Sequence, residues 1–275
     1  MILYPPAKIN IGLSITEKRQ DGFHNIETVF YQIPLCDFLT VETAETNATQ
    51  KLDFSCDGIE LPGNEPHDNL CCKAYRLLDA DCCLPPTRIH LHKVIPAGAG
   101  LGGGSSDAAY TLLALNDLFQ LQISSEDLLQ YASQLGSDCV FFLQGNPAFG
   151  SGKGDILEPV ILSLAGYRIL LVKPPVSVST ADAYSSVIPR KALYHLPTAL
   201  QAPVRKWRDT VFNDFEESVF SKFPEIGGIK EKMYREGAVY AAMSGSGSSV
   251  YGIFEQIPLD VNKLFPGCFI KHFVT

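Results

Sequence analysis

A glycine-rich stretch from Pro96 to Ala109 constrains the fold of this chain more than any other segment. Its sequence, PAGAGLGGGSSDAA, places five glycines between an apolar, strand-like run at 89–95 and a segment with apolar residues at helical spacing. This arrangement predicts a loop that opens a helix. Glycine lets backbone N–H groups turn toward a ligand, and a helix start adds unpaired N–H groups and the positive end of the helix dipole. We therefore interpret the stretch as a cradle for phosphate.

Three known patterns compete for this loop. Gly98, Gly100 and Gly103 fit the dinucleotide pattern GxGxxG, but no acidic residue ends a second strand at the usual spacing. A P-loop requires Lys and then Ser or Thr after its last glycine, whereas Gly104 and Ser105 stand there. A protein kinase requires the partner motifs VAIK, HRD and DFG, none of which occurs in the chain. The loop therefore ends in serines and carries no lysine of its own.

The N-terminal strand holds the first candidate for catalysis. From Ala7 to Thr16, apolar and polar residues alternate, which predicts a strand that is buried on one face only. Lys8 and Asn10 fall on the polar face, where exposure to solvent is the ordinary interpretation. Because the chain also contains a phosphate cradle, Lys8 becomes a candidate for meeting a transferred phosphate group.

Two predicted turns carry candidate substrate contacts. Asp21-Gly22 signals a tight turn, so we expect Phe23 and His24 at the mouth of a hairpin. A second Gly/Ser turn, MSGSGSSVY at 243–251, leads into a predicted strand. A flexible hairpin turn is the alternative interpretation of that second segment.

Three more candidates stand at predicted helix starts. Asn69 precedes a segment with helical periodicity and is expected to cap it. Asp138 stands immediately before an apolar run, either as a helix N-cap or as a functional group in a dry environment. The segment 180–185, TADAYS, predicts a helix start that presents Tyr184.

These motifs together resemble the GHMP kinases, the superfamily of galactokinase, homoserine kinase, mevalonate kinase and phosphomevalonate kinase. The resemblance is carried by Pro96 and Gly100-Leu101-Gly102 with the serines that follow, by the PAKIN strand, and by Asp138 in GSDCVFF. It implies an α/β (α+β) fold of two domains with the active site in the cleft between them. We expect an N-terminal ATP-binding domain at 1–155 and a C-terminal domain at 156–275.

The resemblance also implies a role for each candidate. Lys8 and Asp138 would be catalytic, Lys8 by offsetting charge on the phosphoryl group and Asp138 by accepting the proton of the acceptor hydroxyl. The implied cofactors are ATP and Mg²⁺; Ser105 or Ser106 could help to hold the metal, and Ser106 is taken as the candidate ligand. The residues expected to bind ATP are Asn69, Pro96, Gly98, Gly100, Leu101, Gly102, Gly103, Gly104, Ser105 and Ser106. Those expected to bind the substrate are Asn10, Phe23, His24, Tyr184, Ser246 and Gly247.

The substrate class follows from two of these motifs. The extended loop from Gly100 to Ala109 and the pair Phe23-His24 are similar to those of GHMP kinases whose alcohol carries a cytidine diphosphate group. In those kinases an aromatic ring stacks on cytosine and a histidine helps to hold its edge. The implied reaction is ATP-dependent phosphorylation of a hydroxyl group of that alcohol, in the non-mevalonate route to isoprenoid precursors.

Two alternatives to this assignment stay open. One is a GHMP kinase for another small alcohol, such as homoserine or mevalonate. The other is a non-kinase protein that binds NAD through Gly98 to Gly103.

Composition and charge argue against several classes of partner. The chain has 275 residues, 46% of them hydrophobic and 19% charged, a balance typical of a globular protein. Its net charge of −8, without a cluster of Lys and Arg, argues against nucleic-acid binding. The eight cysteines show no CxxC spacing, so we expect reduced, mostly buried thiols in a cytoplasmic protein. No segment predicts a signal peptide or a membrane span, and the oligomeric state is left open.

Overall fold

The chain forms two compact units that alternate along the sequence. The computed structural model describes residues 1–45, 51–60, 68–145, 147–185 and 187–275. The first unit comprises Met1–Ala7, Pro34–Ala97 and Gly102–Gly145, and the second comprises Lys8–Ile33, Gly98–Leu101 and Asn146–Thr275. Each unit is therefore built from three separate stretches of chain. The expected domain boundary near residue 155 stays a prediction.

The strands are numbered in chain order. They are β1 (Ile2–Leu3), β2 (Pro6–Lys18), β3 (His24–Cys36), β4 (Phe38–Thr43), β5 (Leu52–Gly58), β6 (Thr87–Lys93), β7 (Ala148–Ser151), β8 (Ile156–Pro159), β9 (Arg168–Lys173), β10 (Tyr240–Met243), β11 (Val250–Phe254) and β12 (Phe269–Val274). The predicted strands at 7–16, 89–95 and 250–254 correspond to β2, β6 and β11.

The helices are numbered in the same way. They are α1 (Leu70–Cys82), α2 (Gly103–Leu118), α3 (Ser125–Leu135), α4 (Ser137–Gln144), α5 (Thr180–Tyr184), α6 (Leu196–Ala199), α7 (Phe215–Lys222), α8 (Pro224–Arg235) and α9 (Val261–Leu264), with a 3₁₀ helix at Val204–Asp209. Among the described residues, no helix combines the length and apolar character needed to cross a membrane.

The first unit contains a four-stranded sheet with helices packed on it. The strand order is β1-β4-β6-β5, in which β5 and β6 run parallel and the other pairs antiparallel. The antiparallel register sets Leu39 opposite Leu91 and Val41 opposite Ile89, and all four side chains are buried. Helix α2 packs on β4 and on α1, α3 and α4. The alternation of buried and exposed side chains along β6 is the pattern of a strand covered on one face.

The second unit contains an antiparallel sheet with its own core. The strand order is β10-β11-β9-β12, and the register sets Val172 opposite Val250. Leu13, Ile15 and Phe215 pack into the same apolar cluster as these strands and α8. A further sheet, in the order β2-β3-β7-β8, lies largely within this unit. Strand β2 therefore supplies Leu13 and Ile15 to a cluster whose other buried members come from beyond residue 146.

The cysteines are less buried than expected. All eight carry free thiols, but only Cys71, Cys72 and Cys139 are buried. Cys56 lies exposed on β5, and Cys83 is the exposed, left-handed C-cap residue of α1. The expectation of mostly buried thiols was wrong because small thiols also occupy half-covered strand and helix-end positions, which composition does not reveal.

Candidate active site

The start of α2 offers backbone N–H groups to an anion. Gly102 is the N-cap residue, with a φ of 69°, and no side chain caps the helix. The first N–H groups of a helix have no intrahelical acceptor, so those of this turn are left for another partner. A helix of 16 residues also presents the positive end of its dipole here. The predicted loop that opens a helix is therefore observed in the first unit.

The preceding part of the loop, Gly98–Leu101, belongs to the second unit. Its backbone carbonyls accept hydrogen bonds from other residues of that unit. The N–H of Lys8 donates to the carbonyl of Leu101 at 2.9 Å, and the N–H of Ser249 donates to the carbonyl of Ala99 at 3.2 Å. Gly100 has a φ of +75°, and a Cβ there would overlap the carbonyl oxygen of Ser244. This position therefore requires glycine both for its backbone conformation and for space.

Lys8 and Asn10 lie on β2 and share hydrogen bonds. The ammonium of Lys8 donates to Asn10 Oδ1 at 2.6 Å and to the carbonyl of Gly100 at 3.2 Å. The amide of Asn10 donates to Thr28 Oγ1 at 3.0 Å. The prediction that this strand is buried on one face only was wrong, since Lys8 is 4% and Asn10 3% exposed. Polar side chains that bond to one another can be buried, so alternation alone did not reveal the second covered face of β2.

The second Gly/Ser turn joins β10 to β11. The N–H of Gly247 donates to the carbonyl of Ser244 at 2.9 Å, which closes a tight turn over 244–247. Gly247 is buried, whereas Ser246 is half-buried at the turn. The hydroxyl of Ser244 donates to the carbonyl of Gly100 at 2.8 Å. In the second unit this turn therefore contacts the Gly98–Leu101 segment directly.

The predicted cytosine contacts form an aromatic group in the second unit. The ring of His24 stacks on that of Tyr184, with centroids 4.5 Å apart and an interplanar angle of 19°. Burial, followed by the charge of Lys18, lowers the pKa of His24, which favours the neutral imidazole. Phe23 is 60% exposed, and the ammonium of Lys153 lies 5.2 Å from its ring centroid. Lys153 was not among the predicted residues, although it stands in the glycine-rich segment GSGKG at 150–154.

Asp138 lies in the first turn of α4, two residues after its N-cap Gly136. It is therefore not the N-cap, and its carboxylate is placed where a helix dipole favours negative charge. The thiol of the next residue, Cys139, is hydrogen-bonded to Ser105, and burial raises its pKa to about 12. The starts of α2 and α4 are thus linked within the first unit.

Asn69 caps α1 as predicted. Its Oδ1 accepts a hydrogen bond from the N–H of Cys71 at 2.9 Å, and the residue is 9% exposed. This contact accounts for a structural role, and its expected part in ATP binding stays a prediction.

Comparison with known proteins identifies the family. The family model "GHMP kinases N terminal domain" matches residues 69–146, and the model "GHMP kinases C terminal" matches residues 201–261. A 4-diphosphocytidyl-2-C-methyl-D-erythritol kinase from Bacteroides thetaiotaomicron is 54% identical over 255 residues, which cover 93% of this chain and 92% of the relative. The chain belongs to this family of GHMP kinases. A relative of the same name from Bacteroides fragilis is 52% identical and covers 92% of each chain.

A solved structure confirms the GHMP-kinase fold. The crystal structure of a 4-(cytidine 5'-diphospho)-2C-methyl-D-erythritol kinase matches with a TM-score of 0.82 and 32% identity over 100% of both chains. The prediction of a mixed α and β GHMP kinase is therefore confirmed, and the chain is an ATP-dependent kinase of small molecules.

The two units of this GHMP kinase hold different predicted residues. The first unit holds Asn69, Pro96, Gly102, Gly103, Gly104, Ser105, Ser106 and Asp138. The second holds Lys8, Asn10, Phe23, His24, Gly98, Gly100, Leu101, Tyr184, Ser246 and Gly247. Within the second unit, Lys8 is hydrogen-bonded to both Asn10 and Gly100. The rings of His24 and Tyr184 stack on each other in the same unit. The joint action of Lys8 and Asp138 stays a prediction.

A buried charged cluster beside the loop of this GHMP kinase was missed by sequence reasoning. The ammonium of Lys93 donates to Asp107 Oδ2 at 2.6 Å and to Asp37. Asp37 also accepts the N–H groups of Val94 and Ile95, at 2.5 and 2.8 Å. The cluster thus ties the strand that enters the loop to the helix that leaves it. A charged residue among the apolar positions of α2, as Asp107 is, was the one sequence signal available.

The hydroxyl of Ser106 is the feature that bears on the predicted metal site. Among the described residues, no group of three His, Cys, Asp or Glu side chains is placed to hold a metal ion. The hydroxyl of Ser106 is fully buried and has no hydrogen-bond partner in the described part of the chain. A buried hydroxyl that lacks a partner at the start of α2 fits a ligand oxygen for a cation whose other ligands are phosphate and water.

Proposed function

We propose that this GHMP kinase transfers the γ-phosphate of ATP to the 2-hydroxyl of 4-diphosphocytidyl-2-C-methyl-D-erythritol, in the non-mevalonate route to isoprenoid precursors. The observation that carries this proposal is the 54% identity to a kinase of that name, which extends over 93% of the chain. An alignment over 93% of the chain extends well beyond the glycine-rich loop. The aromatic group of His24, Tyr184 and the nearby Phe23 supports the choice of a nucleobase-containing substrate.

The start of α2 would hold phosphate oxygens of ATP. Its uncapped N–H groups and the dipole of the helix favour an anion without a lysine in the loop. The other loop residues that are predicted to bind ATP would orient the nucleotide through their backbone atoms. Asn69 would lie near the adenine.

Lys8 and Asp138 would carry out the transfer. The hydroxyl oxygen of the alcohol attacks the γ-phosphorus, the bond between that phosphorus and the β,γ-bridging oxygen breaks, and ADP leaves. The Lys8 ammonium offsets negative charge on the transferred group. The carboxylate of Asp138 accepts the proton of the attacking hydroxyl. A weak carboxylate base is sufficient because the transition state is largely dissociative, so the proton is transferred late.

Mg²⁺ would accompany ATP in this site. Its presence would neutralise phosphate charge, and the hydroxyl of Ser106 would be a protein ligand, a role supported by its burial without a partner among the described residues. The fold would contribute by keeping that hydroxyl buried and without a hydrogen bond that competes with the metal ion.

The second unit would bind the cytidine diphosphate part of the substrate. Flat rings at Phe23 and Tyr184 provide stacking surfaces, and a neutral His24 can exchange a hydrogen bond with the edge of a base. The turn containing Ser246 and Gly247 would contact the substrate phosphates, and Asn10 the alcohol. The proposal includes a cytoplasmic location, in keeping with eight free thiols.

A substrate screen tests this function. ADP release is measured with 4-diphosphocytidyl-2-C-methyl-D-erythritol, homoserine and mevalonate in turn, and NAD binding is measured separately. We expect turnover only with the cytidine-bearing alcohol. Turnover with homoserine or mevalonate alone would assign another GHMP activity, and NAD binding without any ADP release would remove the kinase assignment for this chain.

The role of Asp138 is tested by Asp138→Asn. We expect turnover to fall by at least about 100-fold, which is the lower range for loss of a general base, with ATP binding nearly unchanged. Asp127→Asn is the matched control, since Asp127 also lies in the first turn of a helix of the first unit but is exposed beside Ser124. Normal turnover in Asp138→Asn would remove this residue from the mechanism.

A further inference from the structure

The hydroxyl of Ser244 makes two hydrogen bonds within the second unit. It donates to the carbonyl of Gly100 at 2.8 Å and accepts the N–H of Asn10 at 3.2 Å. Ser244 is completely buried, so no solvent can replace these bonds if the hydroxyl is removed. A serine hydroxyl has one proton to donate, and here that proton is committed to Gly100.

The carbonyl of Gly100 also orients Lys8. It accepts from the Lys8 ammonium at 3.2 Å, while Asn10 Oδ1 accepts from the same ammonium at 2.6 Å. An ammonium group has three N–H bonds in a tetrahedral arrangement. Fixing two of these directions fixes the third, so a rotation of the Gly100 carbonyl would redirect Lys8.

Ser244 is itself held on both sides by Asn213. The side-chain amide of Asn213 donates to the carbonyls of Met243 and Gly245, both at 2.8 Å. Its Oδ1 accepts the N–H of Phe215 at 3.0 Å, and the residue is 4% exposed. The backbone on either side of Ser244 is therefore anchored to the start of α7.

The close approach of the Gly98–Leu101 segment to the turn at 244–247 leaves no room for other backbone positions. A Cβ on Gly100 would overlap the carbonyl oxygen of Ser244, and one on Gly245 would lie 3.1 Å from Asn10 Oδ1. Two backbone turns thus approach each other closely enough that small displacements meet steric resistance.

We propose that Ser244, braced by Asn213, is a positioning residue for Lys8: it fixes the Gly100 carbonyl and thereby the direction from which the ammonium meets the transferred phosphoryl group. This inference rests on the proposed function, since it requires Lys8 to act on that group. Ser244 touches neither substrate in this scheme and acts through Gly100.

The first experiment compares two serines of the same turn. In Ser244→Ala we expect the rate of phosphoryl transfer in a single turnover to fall about tenfold, equivalent to about 1.4 kcal/mol on the barrier, with the KM values for ATP and alcohol nearly unchanged. Ser249→Ala is the control, because its hydroxyl is equally buried but has no partner among the described residues. Equal rates in the two variants would overturn the inference.

A double-mutant cycle tests whether Ser244 acts through Lys8. Ser244→Ala is combined with Lys8→Met, or with Lys8→Arg if turnover of the former is below detection. We expect the tenfold effect of Ser244→Ala to vanish in that background, because a misplaced or missing ammonium cannot be positioned. Fully additive losses would show that Ser244 acts independently of Lys8, contrary to the inference.

Two further results keep the test decisive. If Ser244→Ala does not fold, Ser244→Cys retains a weaker donor, and the same cycle is expected to give a smaller rate loss with the same coupling to Lys8. Wild-type protein that releases no ADP with the cytidine-bearing alcohol would refute the proposed function. Active wild-type protein in which Ser244→Ala matches Ser249→Ala would refute only the positioning role.

Discussion

Lys93 places a buried positive charge directly beside the glycine-rich loop. Its side chain is 3% exposed and lies between the carboxylates of Asp37 and Asp107. Burial alone would lower the pKa of Lys93, but the charges of Asp107 and Asp37 together outweigh it, so the pKa lies above its ordinary value. Burial raises the pKa of Asp107 to about 7. The cluster therefore keeps the ammonium charged, and one carboxyl group of it is easily protonated.

Removing the charge of Lys93 should destabilise the protein strongly. Lys93→Met leaves two buried carboxyl groups without their cation, and breaking a buried pair in this way costs about 3–5 kcal/mol. Urea unfolding followed by circular dichroism measures the change. The matched control is Lys51→Met, which breaks the exposed pair between Lys51 and Asp79 and should cost less than about 1 kcal/mol. Similar losses in both variants would contradict the structural role of the cluster.

Replacing Phe23 should weaken the binding of the cytidine substrate and leave the binding of ATP nearly unchanged. Its ring is 60% exposed, so its removal leaves the core intact. Stacking of a base on an aromatic ring contributes about 1–3 kcal/mol, so Phe23→Ala should raise the KM for the cytidine substrate by roughly 5- to 150-fold. The KM for ATP should stay within about twofold. Phe23→Tyr, which keeps the ring, is the control, and equal effects of Phe23→Ala on both KM values would refute stacking.

At the scale of elements, sequence periodicity located most segments but not what covers them. The glycine-rich loop and the start of α2 followed from local rules, since positive φ and helix initiation depend on nearby residues. The burial of Lys8 on β2 did not, because its contacts include groups from positions distant in sequence, such as the carbonyl of Gly100. The Asp37–Lys93–Asp107 cluster was missed for the same reason. Local patterns report one face of an element and say little about its partners.

Two glycines of the loop should respond differently to the same substitution. Gly98 and Gly100 both have positive φ, 59° and 75°, so an alanine at either strains the backbone by about 1 kcal/mol. At Gly98 a Cβ meets nothing within 4 Å, whereas at Gly100 it overlaps the carbonyl of Ser244. Gly100→Ala should therefore lower the free energy of unfolding by about 2 kcal/mol more than Gly98→Ala. Thermal unfolding of both variants measures this, and equal losses would contradict the close approach.

At the scale of the molecule, the family could be predicted from the sequence, whereas the interleaving of the two units could not. The motifs that identify a GHMP kinase are short and retain their order along the chain. The compact units instead reflect which residues meet in space, and β2 passes from one unit into the other at Ala7 and Lys8. A boundary drawn along the sequence does not reveal that the second unit uses residues from the beginning of the chain.

The segment 156–275 should not fold when expressed alone. It lacks Leu13 and Ile15, which are 3% and 0% exposed in the core that also contains Leu170 and Phe215. It also lacks the carbonyl of Leu13, which accepts the N–H of Asp214 at 2.8 Å. We expect a broad, non-cooperative thermal transition for the segment and a cooperative one for the full chain. A sharp transition of the isolated segment would support an independent C-terminal domain after residue 155.

The bond from Ser244 to Gly100 spans 144 residues, and that from Asn10 to Ser244 spans 234. Contacts between such distant positions form late, because a long loop must close before they are made. During synthesis on the ribosome, the hydrogen bonds that join Ser244 to Gly100 and Asn10 therefore form only when nearly the whole polypeptide has emerged. A nascent chain that ends before residue 244 would have its glycine loop and its lysine, yet would lack the serine hydroxyl that fixes the carbonyl of Gly100.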